Sequence, residues 1–548
     1  MYLSVFEQPA NRVFFSILLA GSSPSGGPMN LIDVIAKFAR MSPRSPAFVE
    51  VRPLSGLRQE INWEGFHDRT NRIANSLLQK GVQKQDKVFL LGRNSIRWLE
   101  AYFAILKTGA WAVPLNFRFT NEDILYCAGV AEPSAFIFDE EYGERVKDLR
   151  KELNTVSHYC MIGPDRTKEF VTLEDLVRNG SPQSVPVALS DEDECALYFT
   201  SGTTGVPKPV LLGQKALMSV AATEASNHGF VSSDRFLMMP PMYHLAIGHL
   251  LAVMLAGGCS VLLTEQISPR HIVETIARER LTAVFLLVPW AVDLLNALDR
   301  KEVRIEEYDL SCWRLTFMGA QPIPPVVVHR IKGYFPHMEY DTTYGLSETA
   351  GPGIIHLGTE NERKIGAIGK PSFFWDARIV GENDEDVPQG EVGEIIVKGD
   401  GLMKGYYRNP ELTETVIRDG WLHTGDLGKM DEEGFIYLVD RKKDLIISGG
   451  ENIYPVELEA AILKHPKVHD VAAIGAPDDR LGEIVVVVIQ PKKGESLTEQ
   501  ELIPFFEQQL PRYKRPRRVI FDEVPRSPTG KIEKPKLRAK YSGKTLSS

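Results

Sequence analysis

Cysteines are few in this sequence, and no stretch of it stays apolar for long. The five cysteines lie far apart and form no C-x-x-C pair; they are Cys127, Cys160, Cys195, Cys259 and Cys312. This spacing argues against a zinc ribbon, an iron–sulfur site and a secreted disulfide scaffold, and it favours buried free thiols. The apolar run at residues 250–263 is interrupted by two glycines and a serine, and it falls short of the ~18 residues of a membrane span. We therefore expect no integral membrane segment and a cytoplasmic location.

An excess of positive charge is also lacking. The 548 residues include 63 Lys and Arg against 72 Asp and Glu, a net charge of -9, which disfavours a nucleic-acid-binding protein. Hydrophobic residues make up 43% and charged residues 25%, as in globular proteins generally. At roughly 100–200 residues per domain, the length indicates more than one domain.

The first 28 residues differ from the rest. A short apolar run at 14–20 precedes Gly-Ser-Ser-Pro-Ser-Gly-Gly-Pro at 21–28, but Glu7 and the single nearby Arg12 make a poor basic region for a signal peptide. Apolar residues recur at helical spacing only after Met29. We expect residues 1–28 to be a disordered extension and the globular part to begin near Met29.

Helical and strand patterns alternate along the chain. Residues 87–91 are predicted to form a buried strand and 95–107 a helix; residues 281–288 are predicted to form a strand and 290–298 a helix. This alternation predicts α/β layers with largely parallel sheets. The balance of charge changes near residue 440, after which Lys and Arg exceed Asp and Glu. A small basic domain would suit closure over an anionic ligand, although a solvated charged turn within one domain fits the charges equally well.

The sharpest motif is Tyr-Phe-Thr-Ser-Gly-Thr-Thr-Gly-Val-Pro-Lys at 198–208. Glycines let backbone N–H groups approach an anion closely, hydroxyls donate further hydrogen bonds, and the lysine adds a charge. The motif suits a polyphosphate, but it is not a Walker A loop. The residues expected to contact phosphate are Thr200, Ser201, Gly202, Thr203, Thr204, Gly205 and Lys208.

Further motifs follow in a fixed order. They are Tyr-Gly-Leu-Ser-Glu-Thr at 344–349, Gly-Trp-Leu-His-Thr-Gly-Asp at 420–426, Asp-Arg-Lys-Lys-Asp at 440–444, Ser-Gly-Gly-Glu-Asn-Ile-Tyr-Pro at 448–455 and Pro-Arg-Ser-Pro-Thr-Gly-Lys at 525–531. With the glycine-rich loop, this set resembles the adenylate-forming superfamily of acyl- and aryl-CoA ligases, luciferases and adenylation domains. The resemblance covers nearly all of the chain after Met29.

The resemblance implies an α/β fold with two domains. A large N-terminal domain of layered α/β sheets plus a β-barrel-like subdomain would span residues 29–440. A hinge at 441–444, centred on Lys443, would lead into a small, mobile α+β domain at 445–548. The hinge would let the small domain present one face for adenylation and another for thioester formation.

The implied reaction is the ATP-dependent ligation of a carboxylic acid to coenzyme A. The carboxylate attacks the α-phosphate of ATP, pyrophosphate leaves, and a thiol then displaces AMP from the acyl-adenylate. Mg²⁺ would screen the phosphates, with Glu348 as its protein ligand. The residues implied to act in catalysis are Lys531, Lys208, Thr200 and His244.

The resemblance also assigns the nucleotide contacts. Ser347 would bind the α-phosphate and Tyr344 would lie against adenine. Asp426 would accept hydrogen bonds from the ribose hydroxyls, with Arg441 donating from the domain junction. Beyond the glycine-rich loop, the implied nucleotide-binding residues are Gly319, Ala320, Gln321, Thr343, Tyr344, Gly345, Ser347, Asp426, Arg441 and Lys531.

The acyl pocket would be lined by Tyr243, His244, Trp290, Met318 and Gly319. A tryptophan at 290, where a smaller residue is common in the family, favours a compact acid: aromatic, alicyclic or short- to medium-chain. Gly449 and Gly450 lie where the family admits the pantetheine arm of coenzyme A.

The sequence departs from the family pattern at several positions. Pro209 replaces a glycine and Gln214 a histidine, Ala320-Gln321 stands where Ala-Pro is usual, and Ser347 replaces a threonine. Pro209 removes an N–H and stiffens the loop, which affects loop closure but not the phosphate role.

Several alternatives remain at this point. The chain could be a stand-alone adenylation enzyme that loads a carrier protein, a long-chain fatty acyl-CoA synthetase, an oxidative enzyme of luciferase type, or a non-catalytic nucleotide sensor. Few residues follow Lys531, which favours a free thiol such as coenzyme A as the acceptor. The retention of Glu348, Asp426, Arg441 and Lys531 disfavours the sensor. The expected partners are a small carboxylic acid, ATP and coenzyme A, and the chain could be a monomer or a homodimer.

Overall fold

A computed structural model describes residues 30–165, 168–200, 207–527 and 530–541. The expected disordered extension, residues 1–28, and residues 201–206 of the glycine-rich loop lie outside the described residues.

The helices lie between the strands along the chain, as the alternating pattern predicts. They are α1 (Leu31–Met41), α2 (Trp63–Gln79), α3 (Ile96–Lys107), α4 (Asn121–Ala131), α5 (Gly143–Leu149), α6 (Leu173–Asn179), α7 (Gln214–Asn227), α8 (Ile247–Ala256), α9 (Pro269–Glu279), α10 (Val288–Asp299), α11 (Pro325–Tyr334), α12 (Gly358–Arg363), α13 (Pro410–Val416), α14 (Pro455–Ile462), α15 (Glu499–Gln509) and α16 (Lys534–Tyr541). Short 3₁₀ turns occur at Glu140–Tyr142, Ile305–Glu307, Ser347–Thr349 and Arg512–Lys514.

At several helix starts, a side chain satisfies backbone N–H groups that lack a partner within the helix. Asn30 caps α1 in a capping box with Asp33. Ser95 caps α3, where its hydroxyl accepts from the backbone N–H of Trp98 at 3.0 Å. The starts of both helices therefore follow from local sequence.

The first sheet of the large domain is mostly parallel. In spatial order its strands are β19 (Gly405–Tyr406), β9 (Lys208–Gly213), β8 (Glu194–Thr200), β4 (Trp111–Leu115), β3 (Lys87–Leu91), β5 (Ala135–Asp139), β6 (His158–Ile162) and β7 (Val171–Thr172). The strands from β8 to β7 in this order run parallel to one another. β9 pairs antiparallel with β8, and β19 pairs antiparallel with β9. β8 and β9 form a hairpin in which Thr200 pairs with Lys208.

The second sheet is also built around parallel strands. In spatial order it contains β16 (Lys370–Pro371), β15 (Gly351–His356), β14 (Glu339–Leu346), β13 (Leu315–Gly319), β12 (Ala283–Phe285), β10 (Arg235–Met238), β11 (Cys259–Leu263), β1 (Pro46–Arg52) and β2 (Leu57–Asn62). Strands β14 to β1 in this order are parallel, and β2, β15 and β16 are antiparallel additions at the two edges.

A third sheet is antiparallel throughout and stands where the resemblance implies a barrel-like subdomain. It contains β17 (Trp375–Val380), β18 (Gly393–Gly399), β21 (Trp421–Met430), β20 (Ile417–Arg418) and, paired with β21, β22 (Ile436–Arg441). A fourth sheet belongs to the small C-terminal domain. It contains β24 (Glu451–Ile453), β23 (Ile446–Ser448), β26 (Gly482–Pro491), β25 (Val468–Asp478) and, paired with β26, β27 (Arg518–Phe521).

One apolar core lies between the first two sheets. Val88 and Leu90 of β3 contribute to it from one sheet, and Phe236 and Met238 of β10 contribute from the other. Because side chains alternate across a strand, Phe89 faces a second cluster on the outer side of the first sheet, and a third cluster covers the outer side of the second sheet. The small domain has its own clusters on the two faces of its sheet. The mixed α/β fold with a large sheet-built domain and a small C-terminal domain is confirmed.

The cysteines agree with the expectation of free thiols. All five cysteines are free thiols; four are buried, and Cys312 is partly exposed. Of the helices in the described residues, none is long and apolar enough to cross a bilayer.

Candidate active site

The predicted site motifs follow the carboxyl ends of neighbouring parallel strands. His244 lies shortly after β10, Trp290 after β12, Gln321 after β13 and Glu348 after β14. These four strands are adjacent and parallel in the second sheet, so their carboxyl ends meet at one edge. Ligands of open α/β sheets bind in the crevice outside that edge, and the topology therefore gathers the predicted residues in one cleft.

The loop that carries the acyl-pocket motif is held from the first sheet. The side chain of Asn94, just after β3, accepts from the backbone N–H of Met242 at 2.9 Å and donates to the carbonyl of Pro240 at 2.8 Å. The ring of Tyr243 packs edge-on against Phe117, with 5.1 Å between ring centroids. These contacts fix the loop that ends at His244.

His244 lies in the cleft as a neutral imidazole. Burial, followed by the positive charge of Lys531, lowers its pKa to about 3. Its Nε2 atom has no hydrogen-bond partner within the described ranges. A histidine with so low a pKa is a weak base, so it suits the predicted place in the lining of the acyl pocket better than a role as general base.

Tyr344, Asp426 and Arg441 form a hydrogen-bonded group. The Tyr344 hydroxyl donates to Asp426 Oδ2 at 2.8 Å, and Arg441 Nε lies 3.3 Å from Asp426 Oδ1. Asp426 and Arg441 are paired residues of β21 and β22, so the antiparallel register brings them together. Burial and the charge of Asp426 raise the pKa of Tyr344 well above its usual value. The ring and both charged groups predicted to bind the nucleoside therefore lie in one place.

Lys208 and Glu348 both contact Tyr406, a residue outside the sequence motifs. The Tyr406 hydroxyl donates to Glu348 Oε1 at 2.8 Å, and Lys208 Nζ lies 5.2 Å from the centroid of the Tyr406 ring, within cation–π range. The backbone N–H of Met403 donates to the carbonyl of Glu348 at 2.8 Å. Ser347 opens the same 3₁₀ turn. The phosphate lysine and the predicted metal ligand thus flank one aromatic ring.

Lys531 is carried into this cleft by the small domain. Burial and the neighbouring charge of Arg441 lower the pKa of Lys531 to about 8, and the carboxylates of Asp426 and Glu348 oppose the shift. Its loop is a tight turn in which the backbone N–H of Ser527 donates to the Lys531 carbonyl and that of Gly530 donates to the Ser527 carbonyl, both at 2.8 Å. The ammonium therefore lies among the charged residues predicted to surround the phosphates.

Two glycines in the predicted site are required by close backbone packing. A Cβ on Gly319 would lie 2.5 Å from the carbonyl oxygen of Thr343, and one on Gly345 would lie 2.0 Å from that of Gly351. Met318 is fully buried in β13, and its carbonyl accepts from the Thr343 hydroxyl at 3.4 Å. Packing alone thus explains glycine at both positions, whatever the ligand.

Ala320 follows β13 with an unusual backbone conformation. Ala320 is exposed and has a φ of 69°. This value lies in the left-handed region, which residues other than glycine adopt less readily. The backbone is therefore strained directly before Gln321, at the cleft. Strain of this kind is often found at functional sites.

Other predicted residues lie apart from this group. Gly449 and Gly450 form the turn between β23 and β24, and both have positive φ values, 60° and 86°, which accounts for glycine there. Gly449 donates to the carbonyl of Leu481 at 2.8 Å. Lys443 lies in the exposed turn after β22. Trp290 lies in the first turn of α10 and packs against two core clusters.

Three positioning residues escaped the sequence analysis. Tyr406 and Phe117 belong to none of the sequence motifs, and only the fold reveals their neighbours. Asn94 had a usable signal, because it follows a predicted buried strand and precedes a helix cap, where side chains at a carboxyl sheet edge gather.

The donors around Glu348 fit Mg²⁺. A carboxylate that shares Tyr406 with a lysine predicted to bind phosphate suits a hard cation that keeps water and phosphate oxygens in its shell. Across the described part of the chain, no group of three or more His, Cys, Asp or Glu side chains could hold a metal by itself. Any magnesium at Glu348 would therefore be shared with the nucleotide phosphates.

Comparisons with known proteins agree with this geometry. The model of the AMP-binding enzyme family matches residues 35–407, and that of the AMP-binding enzyme C-terminal domain matches residues 457–531. A feruloyl-CoA synthase of Amycolatopsis sp is 35% identical over 92% of this chain and 97% of its own length. The long-chain-fatty-acid–CoA ligase FadD13 of Mycobacterium tuberculosis is 32% identical over the same shares.

A solved structure has the same architecture. ATP-bound MatB from Rhodopseudomonas palustris superposes with a TM-score of 0.83 at 28% identity, covering 94% of this chain and 99% of that one. The family models, the relatives and the shared fold lead to one conclusion: the chain belongs to the AMP-binding enzymes, as an AMP-forming acyl-CoA synthetase.

Proposed function

We propose that the chain joins an aromatic, alicyclic or short- to medium-chain carboxylic acid to coenzyme A at the expense of ATP. The observation that carries the proposal is the position of Lys531, whose ammonium lies in the cleft among Arg441, Asp426 and Glu348. A cation at that point can contact both the attacking carboxylate and the α-phosphate, the two anions that must meet.

The first half-reaction forms the acyl-adenylate. A carboxylate oxygen of the acid bonds to the α-phosphorus, and the bond between that phosphorus and the bridging oxygen breaks as pyrophosphate leaves. Lys531 stabilises the negative charge that builds on the α-phosphoryl oxygens. Lys208 and the glycine-rich loop hold the departing phosphates, and Asp426 holds the ribose. When bound at Glu348, Mg²⁺ would supply further neutralisation of the phosphates.

The second half-reaction transfers the acyl group. The thiol sulfur of coenzyme A bonds to the acyl carbon, the bond to the adenylate oxygen breaks, and AMP leaves while the thiol proton is released. The Lys443 turn is the proposed hinge for this step, and Gly449 and Gly450 the proposed site for the pantetheine arm. We place the large domain at residues 29–440 and the small domain at 445–548.

The substrate class is supported by Trp290 and by one relative. The indole at the start of α10 lies between two core clusters, where it fills volume that a long chain would need. The feruloyl-CoA synthase at 35% identity is named for an aromatic acid. A compact, ring-containing acid fits both observations.

We predict that Trp290→Ala extends the range of acids accepted. Removing the indole opens volume in the proposed acyl pocket, so activity on medium and long straight-chain acids should rise relative to compact ones. The measurement is kcat/KM for a homologous series of acids, with Trp313→Phe as a control at a buried tryptophan of the same large domain. An unchanged chain-length profile would contradict the role of Trp290.

A long-chain fatty acid is the second candidate substrate. It is favoured by the 32% identity to a long-chain-fatty-acid–CoA ligase over 92% of the chain. The two candidates differ in the pocket depth they need, which the same series of acids measures.

A panel of carboxylic acids with ATP and Mg²⁺, with and without coenzyme A, tests the reaction. We expect AMP release that depends on coenzyme A and is fastest with compact ring acids. Pyrophosphate exchange indifferent to coenzyme A would indicate loading of a carrier protein. An absence of turnover on every acid would contradict the proposal and favour a nucleotide sensor.

A further inference from the structure

The loop that carries Lys531 is attached to the large domain through Gln321. Arg526, five residues before the lysine, donates from Nη1 to the Gln321 Oε1 atom at 3.2 Å. The same amide oxygen lies close to the lysine loop itself, 3.2 Å from where a Cβ on Gly530 would be. Gln321 lies after β13 in the large domain, so this hydrogen bond joins the two domains at the cleft.

Arg526 is itself held rigidly within the small domain. Its Nε and Nη2 atoms donate to the two carboxylate oxygens of Asp470 at 2.6 and 2.7 Å. This paired geometry fixes the plane of the guanidinium. The remaining nitrogen, Nη1, is thereby aimed at Gln321 and at the carbonyl of Gly530, to which it also donates.

The loop and the lysine are therefore positioned through one guanidinium. The Gly530 carbonyl precedes Lys531 directly, and the Lys531 N–H donates to the Ser527 hydroxyl at 3.2 Å. Pro289 of the large domain closes the other side, since a Cβ on Gly530 would lie 2.8 Å from its ring. Asp470, Arg526, Gln321 and the lysine loop form a continuous chain of contacts across the domain boundary.

We propose that Gln321 and Arg526 are positioning residues for adenylation, which hold the Lys531 ammonium at the α-phosphate. The proposal rests on the proposed function of Lys531. Gln321 marks the large-domain end of the contact and Arg526 the small-domain end, so the contact exists only while the lysine loop occupies the cleft. The contact should speed adenylation, the half-reaction that uses Lys531, and should not affect thioester formation.

The test compares the two half-reactions in Gln321→Ala and Arg526→Gln. The first is followed by ATP–pyrophosphate exchange with the most active acid of the panel. The second is followed by thioester formation from the synthetic acyl-adenylate of that acid and coenzyme A. We expect adenylation to fall about tenfold in each variant, the scale of losing one charge-assisted hydrogen bond. Thioester formation should be unchanged in Arg526→Gln, because Arg526 is not among the residues implied to bind the nucleotide. Arg515→Gln is the matched control for Arg526, because within the described residues the guanidinium of Arg515 bonds only to Glu507 and Leu510.

A double-mutant cycle separates positioning from a merely structural role. Both substitutions are repeated in a Lys531→Ala background, where positioning residues should cost nothing further. The inference would be overturned if the fold-losses in adenylation rate multiplied with that of Lys531→Ala. It would also be overturned if the rates of both half-reactions fell equally. Either result would leave the ligase assignment intact. If Lys531→Ala itself leaves adenylation unchanged, the proposed function of Lys531 fails and the inference fails with it.

Discussion

Lys531 carries an ammonium group that acts in a cleft beside Arg441, Asp426 and Glu348. We predict that Lys531→Ala slows acyl-adenylate formation about 10²–10³-fold, the scale for loss of one transition-state donor. Thioester formation from supplied adenylate should change far less, because no phosphoryl charge builds up in that step. Single-turnover assays of each half-reaction make the measurement. Equal losses in both would refute the assignment.

The same lysine should give adenylation a basic pH limit. Burial and Arg441 lower the pKa of Lys531 to about 8, so the ammonium loses its proton, and its charge, as the pH rises through that value. We expect kcat/KM for ATP to be constant below about pH 8 and to fall about tenfold per unit above it, because this ratio reports the free enzyme.

Lys531→Arg is the control for the pH limit. A guanidinium keeps its proton throughout this range, so the variant should be slower but should lose the decline above pH 8. A decline that persisted unchanged in Lys531→Arg would assign the titration to another group.

The site residues that belong to a sequence motif were predictable. Those that join the site only through tertiary contacts were not. Tyr344, Asp426 and Lys531 stand in recognisable local patterns, whereas Tyr406 is 58 positions from its partner Glu348. Gln321 was noticed as a departure from the family pattern, but its partner Arg526 is 205 positions away. Sequence shows which side chain is unusual; only the packed fold shows what it touches.

At the scale of elements, the turn between β22 and β23 is the proposed hinge. The backbone N–H groups of Asp444 and Leu445 donate to the carbonyl of Arg441 at 2.9 and 3.1 Å, so Lys443 lies inside a short turn between domains. Rotation of the small domain requires the dihedral angles of this turn to change.

We predict that Lys443→Pro traps one arrangement of the domains. Proline fixes φ near −65° and restricts the preceding residue. Because Lys531 occupies the cleft in the present arrangement, adenylation should survive and thioester formation should drop at least tenfold. Lys443→Ala, which keeps the backbone free, should retain both. Survival of both half-reactions in Lys443→Pro would contradict the hinge.

Element boundaries were predicted well where a cap or a turn marks them. The strand predicted at 87–91 and the helix predicted at 95–107 match β3 and α3 within one residue. The strand predicted at 281–288 is shorter, β12 ending at Phe285, because Val288 and Pro289 already start α10. A continuous apolar run does not show where a strand ends and a buried helix begins.

At the scale of the whole molecule, the two domains have separate apolar cores. The clusters of the small domain contain, among the described residues, only positions from 446 onwards. The contact of Arg526 with Gln321 across the cleft is polar. Domains joined by small polar interfaces open independently.

We predict that the small domain unfolds in a separate, earlier step. Amides of β25 and β26 should lose hydrogen-exchange protection at lower urea concentration than those of β3 and β13. A non-hydrolysable acyl-adenylate analogue contacts both domains, so at 100 times its Kd it should stabilise the paired domains by about 2.7 kcal/mol and bring the two steps together. A single cooperative transition without ligand would contradict the prediction.

The order of the motifs predicted the family and the two-domain plan, because each motif is typical of one part of the family's fold or binding site. The order of strands in space was not predictable in the same way. Neighbours such as β10 and β12 are separated in sequence by α8, β11 and α9, and crossovers of this kind are selected by packing of the whole core.

The glycine at 319 has a consequence for how this enzyme could acquire new substrates. With the Thr343 carbonyl only 2.5 Å from where any side chain would begin, position 319 admits no larger residue unless the main chain shifts. Natural variation or directed evolution towards other acids must therefore work through the other residues proposed to line the pocket, such as Trp290 on α10.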